Sequence, residues 1–181
     1  MDKHEKNSLT EGQEPDRFIG LGKKRVVSEL IAPDAKVISV NISETKGVVK
    51  IPVEQGEFVV DLGLKGDAHA GAWHRMVSLL AIESYGAMSR KGAGELAIGS
   101  FAENLTTQGI ILHELPVGTR LAIGETIQEV TQIGKECHTG CAIRQLVGDC
   151  VMPREGIFTR LIRGGTIRPG DAIRLASDED N

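Results

Sequence analysis

Aromatic residues are scarce in this 181-residue chain: Phe, Trp and Tyr make up 3 % of it, and Trp73 is its one tryptophan. The core is therefore expected to consist of Val, Ile, Leu and Ala. No apolar run reaches the length of a membrane span, and no charged-then-apolar signal segment opens the chain. The three cysteines, an odd number, fit reduced thiols better than a disulfide framework. These absences predict a cytoplasmic protein without a membrane partner.

Positive charge is not in excess either. The chain has 21 Lys and Arg against 25 Asp and Glu, which gives a net charge of −4. General nucleic-acid binding depends mainly on clustered positive charge. No nucleic-acid partner is therefore expected.

Glycine, in contrast, is abundant, and the 22 glycines fall between short β-branched runs. This pattern is typical of a β-rich fold with many turns. The spacing of residues 83–91 predicts a helix that ends before Gly92. The runs predicted as strands are 36–42, 48–53, 57–60, 77–82, 120–123, 126–130, 157–162 and 171–175. The expected fold is mainly β, one curved sheet or barrel with two or three short helices.

The two ends of the chain differ in composition from the middle. Residues 1–24 are polar and lack apolar periodicity, and 25–31 have the spacing of a helical turn that Pro33 would stop. We therefore expect a flexible N-terminal tail over residues 1–34. The compact domain is predicted over 35–177, and 178–181 are predicted to form a short C-terminal tail.

Cys137 is the residue whose surroundings point most directly to chemistry. It follows the β-type run 126–131 and stands close to Lys135, His138 and flexible glycines. Neighbouring cations lower the pKa of a thiol, and the thiolate is the form that binds metal or carries sulfur. The hypothesis is that the function depends on this sulfur. A buried, inert thiol is the plain alternative.

A zinc site is a second interpretation of the same segment. Cys137, His138 and Cys141 have ligand-type side chains at short spacing, but no second tight pair is present. Cys150 and His69 would have to complete the set. For Cys141 and Cys150 a buried, inert thiol is the preferred interpretation.

Polar residues cluster in a loop over residues 64–75, beside the one tryptophan. Small residues there let backbone amides approach a ligand, and Lys65 and Arg75 could neutralise a phosphate. The alternative is a turn in which Asp67 caps backbone amides and the histidines are solvated.

Two further segments carry weaker signals. In 99–106, Asn104 and Thr106 can bond backbone or ligand, and a structured turn is the preferred interpretation. The second segment is 148–158. Its Arg154, together with Arg144, could bind an anion, but an ion pair with Glu155 or Asp149 explains Arg154 equally well.

Four motifs in this order resemble the MOSC family, the domain named for the C-terminal part of molybdenum cofactor sulfurase. They are Gly-Asp-x-His at 66–69, Phe-x-Glu-Asn-Leu-Thr at 101–106, Val-Gly-x-x-Leu-x-Ile-Gly at 117–124, and Val-Thr-Gln at 130–132 leading to the family cysteine at Cys137. The chain departs from the family pattern at Ala102, where glycine is usual, and at Gly134 and Glu136, where many members have Arg and Pro. We expect the positive charge of Lys135 to compensate for the missing Arg.

The resemblance implies a β-barrel of the MOSC or pyruvate-kinase-barrel-like type that handles the molybdenum cofactor (molybdopterin) or sulfur bound for it. Cys137 would ligate molybdenum or carry persulfide sulfur. The resemblance also assigns cofactor-binding roles, to Lys65, Asp67, His69, Arg75, Glu103, Asn104, Thr106, Lys135, Arg144 and Arg154.

Partners implied in the same way are a sulfur donor and a recipient molybdoenzyme or cofactor-synthesis protein. Pyridoxal phosphate is not expected, because that role belongs to an aminotransferase domain for which this chain leaves no room. Two alternatives stay open. One is a stand-alone molybdoenzyme that reduces N-hydroxylated compounds with electrons from a separate reductase. The other is a zinc-stabilised interaction domain.

Overall fold

The computed structural model describes residues 25–135 and 142–180, and within them the chain is mainly β with short helices. The α-helices are α1 (Ile82–Met88), α2 (Ala142–Val147) and α3 (Met152–Glu155), and a π-helical turn, Ser89–Ala93, extends α1. Short 3₁₀ turns cover Val27–Leu30, Leu112–Glu114 and Asp178–Asp180. The strands are β1 (Ile31–Ile42), β2 (Ile51–Val53), β3 (Gly56–Val59), β4 (Gly63–Leu64), β5 (Val77–Ala81), β6 (Leu105–Ile110), β7 (Arg120–Ile123), β8 (Thr126–Ile133), β9 (Ile157–Arg163), β10 (Gly165–Ile167) and β11 (Ile173–Leu175).

The strands form one large and one small sheet. The large sheet has eight strands in the order β11-β7-β8-β9-β5-β6-β1-β2, and the small sheet has the order β10-β3-β4. Every paired neighbour is antiparallel except β5 and β6. Parallel neighbours need a crossover connection. Here α1, the π-helical turn and the loop 94–104 form it, and this crossover brings the 99–104 loop back against β5.

The two ends of the large sheet approach each other at β1. The Val37 backbone amide donates to Asp171 O at 2.9 Å, and Gly170 donates to Val37 O at 2.8 Å. One isolated bridge, Lys36 with Ala172, accompanies these bonds. No continuous ladder joins β1 to β11 in the described structure. The curved, mainly β fold is thus confirmed, whereas closure into a barrel stays a prediction.

The core is divided into two clusters. The larger one lies inside the sheet and is aliphatic, as the composition predicts, with Phe58 as its one aromatic residue. The smaller cluster lies beneath the three helices and gathers Tyr85, Phe101 and Phe158 together with aliphatic side chains and Cys150. The few aromatic residues are therefore concentrated where the helices cover the sheet.

The observed strands include three, β4, β6 and β10, that the sequence patterns did not predict. β7 has the predicted bounds, and β5, β8, β9 and β11 differ by one to three residues. β6 was not among the predicted strands because Leu105, Thr106 and Thr107 are all fully buried, so the polar and apolar residues do not alternate. The run 48–53 forms a strand only from Ile51, and Lys50 before it is buried.

The N-terminal boundary also differs from the prediction. β1 begins at Ile31 and passes through Pro33, so the boundary drawn at residue 34 falls inside a strand. Its pairing with β6 shifts register between Ile31 and Lys36. Proline is tolerated at such an irregularity because no ladder hydrogen bond is required of its nitrogen. Residues 1–24 lie outside the described residues.

The C-terminal residues 178–180 contact the domain rather than trailing from it. Arg174 donates to both carboxylate oxygens of Asp180 at 2.7 Å, and Ser177 N donates to the same carboxylate. Within the described part of the chain, no helix has the length and apolar character that a membrane crossing needs.

We expect Leu79→Ala to lower the free energy of unfolding by about 2–5 kcal/mol, because Leu79 is fully buried at the centre of β5 and its truncation leaves a cavity. Leu146→Ala is the matched control, since that leucine is 67 % exposed on α2. It should change stability by less than about 0.5 kcal/mol. Urea unfolding followed by circular dichroism measures both values. Equal losses would contradict the assignment of β5 to the core.

Candidate functional site

A buried ion pair between Lys50 and Asp67 organises the candidate site. Lys50 Nζ lies 2.8 Å from Asp67 Oδ2, and the two side chains are 1 % and 2 % exposed. Asp67 also accepts hydrogen bonds from the backbone amides of Ser43 and His69, each at 3.1 Å. Although burial opposes ionisation of Asp67, the bonds from Lys50 and these amides hold its pKa below the usual range. Burial lowers the pKa of Lys50, against the opposing charges of Asp67 and Glu103.

His69 lies beside this pair. Its Nδ1 is 3.6 Å from Asp67 Oδ2, and this nitrogen is buried without a hydrogen-bond partner in the described structure. Burial, followed by the positive charge of Lys50, lowers the pKa of His69. The lowered pKa favours the neutral form of the imidazole.

These groups open onto a small pocket with a volume of about 100 Å³. Its wall joins the loop 65–75 to the crossover loop and the end of β8. The residues that line it are Lys50, His69, Trp73, Arg75, Ser78, Phe101, Ala102, Asn104, Lys135, Met152 and Phe158. We call it the cationic pocket, because three of its side chains carry positive charge and none carries negative charge.

Arg75 and Lys135 set the charge of the cationic pocket. The Arg75 guanidinium carbon lies over the Trp73 and Phe158 rings, 5.8 and 5.6 Å from their centroids. Its Nε donates to Gln132 Oε1 at 2.8 Å. Neither Arg75 nor Lys135 has a carboxylate partner among the residues that the structure describes, whereas Lys50 is neutralised by Asp67. Among the described residues, these two cations therefore have no compensating carboxylate, and we call them the uncompensated cations of the pocket.

A buried polar network supports the wall of the pocket. Asn104 Oδ1 accepts from Ser78 N and Ser78 Oγ at 3.2 and 3.0 Å. Behind it, Thr106 Oγ1 donates to Glu103 Oε1 at 2.7 Å. Tyr85 Oη donates to the same Glu103 oxygen, and burial, with the negative charge of Glu103, raises the pKa of Tyr85. Asn104 lines the pocket, while Glu103 and Thr106 are buried behind it.

Ala102 shows how the chain accommodates its departure from the family pattern. Its φ of 60° lies in the left-handed region that favours glycine, so the turn keeps the backbone shape expected of a glycine. Ala102 thus adopts a backbone conformation that ordinarily favours glycine.

Gly134 fixes the end of β8 against the turn before β9. Its backbone amide donates to Gly156 O at 2.7 Å. Its φ is +69°, and a Cβ there would lie 2.1 Å from Pro153 O. Only glycine fits at this contact, which is a physical reason for the absence of Arg at this position. The next residue, Lys135, lines the cationic pocket.

Three predicted anion-binding residues do not line the cationic pocket. Lys65 forms an exposed ion pair with Glu57 at 2.7 Å. Arg154 binds Asp149 through both terminal nitrogens, at 2.6 and 3.0 Å, which matches the ion-pair alternative. Arg144 is exposed on α2. Their roles toward a ligand stay predictions.

Cys137, His138 and Cys141 lie outside the described residues. Cys150 is buried in the smaller core cluster, in agreement with the prediction of a structural thiol. Among residues 25–135 and 142–180, no three His, Cys, Asp or Glu side chains gather in a way that could hold a metal ion. His69 and Cys150 thus provide no metal site by themselves.

Two residues of the site were not singled out from the sequence. Lys50 stands in the apolar run 48–53, and because lysine is mostly exposed in proteins, the sequence carries no direct signal of its burial. Gln132 was noted as part of a motif without a role. Its side chain contacts Arg75, His74 and the backbone of Gly134.

A larger depression of about 560 Å³ shares Trp73 with the cationic pocket. Two arginines, Arg120 and Arg160, bind Glu129 in or beside it, at 3.2 and 2.7 Å. Because its charged groups are largely paired and it is wide open, the smaller pocket is the better candidate for specific binding.

Comparisons with known proteins agree on the fold. A family model for the MOSC domain matches residues 66–174. The structure of the YuaD protein from Bacillus subtilis is similar, with 20 % identity, 77 % of this chain and 93 % of that chain covered, and a TM-score of 0.66. YiiM from Geobacillus stearothermophilus has 19 % identity over 79 % and 75 % of the two chains and a TM-score of 0.62. YiiM from Escherichia coli has 19 % identity over 78 % and 70 %, with a TM-score of 0.58. No curated protein sequence matches significantly.

Lys50→Met is expected to lower the free energy of unfolding by about 3–5 kcal/mol, because it leaves the Asp67 carboxylate buried without its cation. Lys65→Met is the control: its ion pair is exposed, so about 0–1 kcal/mol should be lost. The double variant Lys50→Met/Asp67→Asn should lose less than the sum of the single changes. Chemical denaturation at pH 7 gives all four values. Additive losses would mean that the pair is not coupled.

Gly134→Ala is expected to be more destabilising than Gly148→Ala, although both glycines have nearly the same positive φ, +69° and +71°. Both changes force alanine into the left-handed region at a cost of about 1–2 kcal/mol. At Gly134 the contact with Pro153 O adds about 1–3 kcal/mol, whereas Gly148 has open space around it. Thermal unfolding of the two variants compares them. Equal shifts would argue against the contact between the end of β8 and the turn before β9.

Proposed function

Because the chain belongs to the MOSC domain family, we propose that it binds the molybdenum cofactor or carries sulfur for that cofactor, with Cys137 as the residue that ligates molybdenum or holds a persulfide. The observation that carries the proposal is the cationic pocket, whose lining residue Lys135 stands two residues before Cys137 in the sequence. A sulfur donor and a recipient molybdoenzyme or cofactor-synthesis protein would be its partners. The near approach of β1 to the β11 end also favours the barrel as the scaffold.

The described residues fit the anionic part of the cofactor. The phosphate of molybdopterin needs positive charge and hydrogen-bond donors, which Arg75 and Lys135 offer without a carboxylate competitor in the described structure. His69 presents its ring to the same pocket, and its Nδ1 has no hydrogen-bond partner among the described residues. The volume of about 100 Å³ is small beside the 300–1,000 Å³ usual for whole ligands of drug size. The pocket would therefore hold one charged end of the cofactor.

For the metal, the proposal depends on Cys137. The described residues supply no ligand set for a metal ion, and the family cysteine has the soft sulfur that suits molybdenum. When bound, the cofactor supplies a molybdenum atom held by sulfur, to which a thiolate is an apt further ligand. Lys135 is close in sequence, and a neighbouring ammonium group favours the thiolate over the thiol.

A carrier role uses the same thiolate. The Cys137 thiolate would attack the terminal sulfur of a donor persulfide, forming a new persulfide on Cys137 while the donor leaves as a thiolate. One sulfur–sulfur bond forms and one breaks, so no external oxidant or reductant is needed. Transfer onward to the recipient follows the same chemistry.

The test is metal and pterin analysis of protein purified from a host that produces the cofactor. Wild type should retain molybdenum and pterin in near-stoichiometric amounts if it binds the cofactor. Cys137→Ala should lose at least about 90 % of both, because the soft ligand is removed. Cys150→Ala is the matched control, since that thiol is buried in the smaller core cluster. It should retain the cofactor.

Other outcomes decide against parts of the proposal. Full retention of the cofactor by Cys137→Ala would exclude the role of Cys137 as the ligand. Zinc without pterin would favour the interaction domain. A persulfide found on Cys137 by mass spectrometry, without molybdenum, would favour the sulfur carrier. Turnover of an N-hydroxylated substrate with an artificial electron donor would favour the enzyme.

A further inference from the structure

We propose that Gln132 is a positioning residue that orients both uncompensated cations of the cationic pocket toward a phosphate-like anion. It acts on Arg75 through a side-chain hydrogen bond and on Lys135 through the backbone of Gly134. The inference rests on the proposed anion-binding role of the pocket, and it adds a residue that does not itself line the pocket.

The first contact is with the loop that carries Arg75. Gln132 Oε1 accepts from Arg75 Nε at 2.8 Å and lies 3.0 Å from His74 Nε2. Since Nε is occupied, the terminal nitrogens of the guanidinium are left for a ligand, and none of them has a hydrogen-bond partner among the described residues. The Trp73 ring, in the loop before β5, and the Phe158 ring, on β9, both lie against the guanidinium group. The hydrogen bond to Gln132 then fixes its rotation.

The second contact is with the chain that leads to Lys135. Gln132 Nε2 donates to Gly134 O at 2.6 Å. The Gly134 amide is bound to Gly156 O, so Gly134 is held on both sides of its α-carbon. The peptide that follows Gly134 thereby has a fixed direction. Lys135, which is attached to that peptide, is directed to the pocket wall.

A β-bulge places Gln132 for both contacts. The pairing of β8 with β9 shifts between Val130 and Gln132, so Thr131 is the extra residue. Thr131 Oγ1 bonds to the backbone oxygens of His74 and Phe158. Bulges of this kind redirect a side chain near the end of a strand. The bulge thus anchors the loop before β5 where the Gln132 amide can reach it.

Only a primary amide serves both contacts at this length. Its oxygen accepts from Arg75, and its nitrogen donates to Gly134 O. A glutamate would keep the first bond, but its carboxylate would face the Gly134 carbonyl without a proton and would neutralise the charge of Arg75. A methionine of similar shape would lose both bonds.

The experiment is a titration of the full chain with inorganic phosphate, followed by fluorescence. Trp73 is the one tryptophan of the chain, lines the pocket and contacts Arg75, so its emission reports binding there. Gln132→Met should weaken phosphate binding about tenfold, and Gln132→Glu should weaken it further. Gln108→Glu, an exposed position on β6, is the charge control and should bind like wild type. Thermal unfolding of each variant separates an affinity loss from general instability.

A second readout keeps the positioning role testable without phosphate binding. Modification of Arg75 by phenylglyoxal, located by peptide mass spectrometry, should be at least about threefold faster in Gln132→Met, because the guanidinium loses its anchor. If wild type binds phosphate and Gln132→Met binds it equally, the positioning role is wrong while the pocket stands. If wild type binds no phosphate, the anion-binding proposal is wrong, and unchanged Arg75 reactivity would then remove the positioning role as well.

Discussion

The ion pair between Lys50 and Asp67 is the interaction on which the rest of the site depends. Two charges with side chains 1 % and 2 % exposed persist only as a pair, because either one alone would carry the full cost of desolvation. Asp67 uses its remaining capacity on the amides of Ser43 and His69, so the pair joins the segment before β2 to the loop after β4. The hydrogen bond from the His69 backbone amide to Asp67 therefore helps to position His69, in addition to packing.

Much of the fold could be predicted from the sequence, and the exceptions have physical causes. Strands whose buried and exposed residues alternate, such as β3, were located within a few residues. β6 is buried on both faces and includes Thr106 and Thr107, so composition favours a turn or a ligand contact there. The start of β1 was obscured by Pro33, which a sequence pattern treats as a stop although the irregular pairing with β6 tolerates it.

The site could be predicted only in part, because burial decides which polar residues face a ligand. Asp67, His69, Arg75, Asn104 and Lys135 gather around one pocket, although they come from three separated segments. Other polar residues look equally suited in the sequence. Thr106 donates a hydrogen bond to Glu103 in the interior, and Lys65 and Arg154 have acidic partners on the surface. Lys50 escapes notice because a charge in an apolar run is usually exposed.

The anion preference proposed for the pocket is argued from which of its cations are already neutralised. Lys50 contributes structure but little net charge, since Asp67 cancels it. The attraction for an anion therefore comes from Arg75 and Lys135, which belong to different elements and would diverge without a common support. The bulge at Thr131 and the amide of Gln132 provide that support. Both side chains remain partly in contact with water until a ligand binds. The desolvation cost of placing their two charges in the pocket is therefore small.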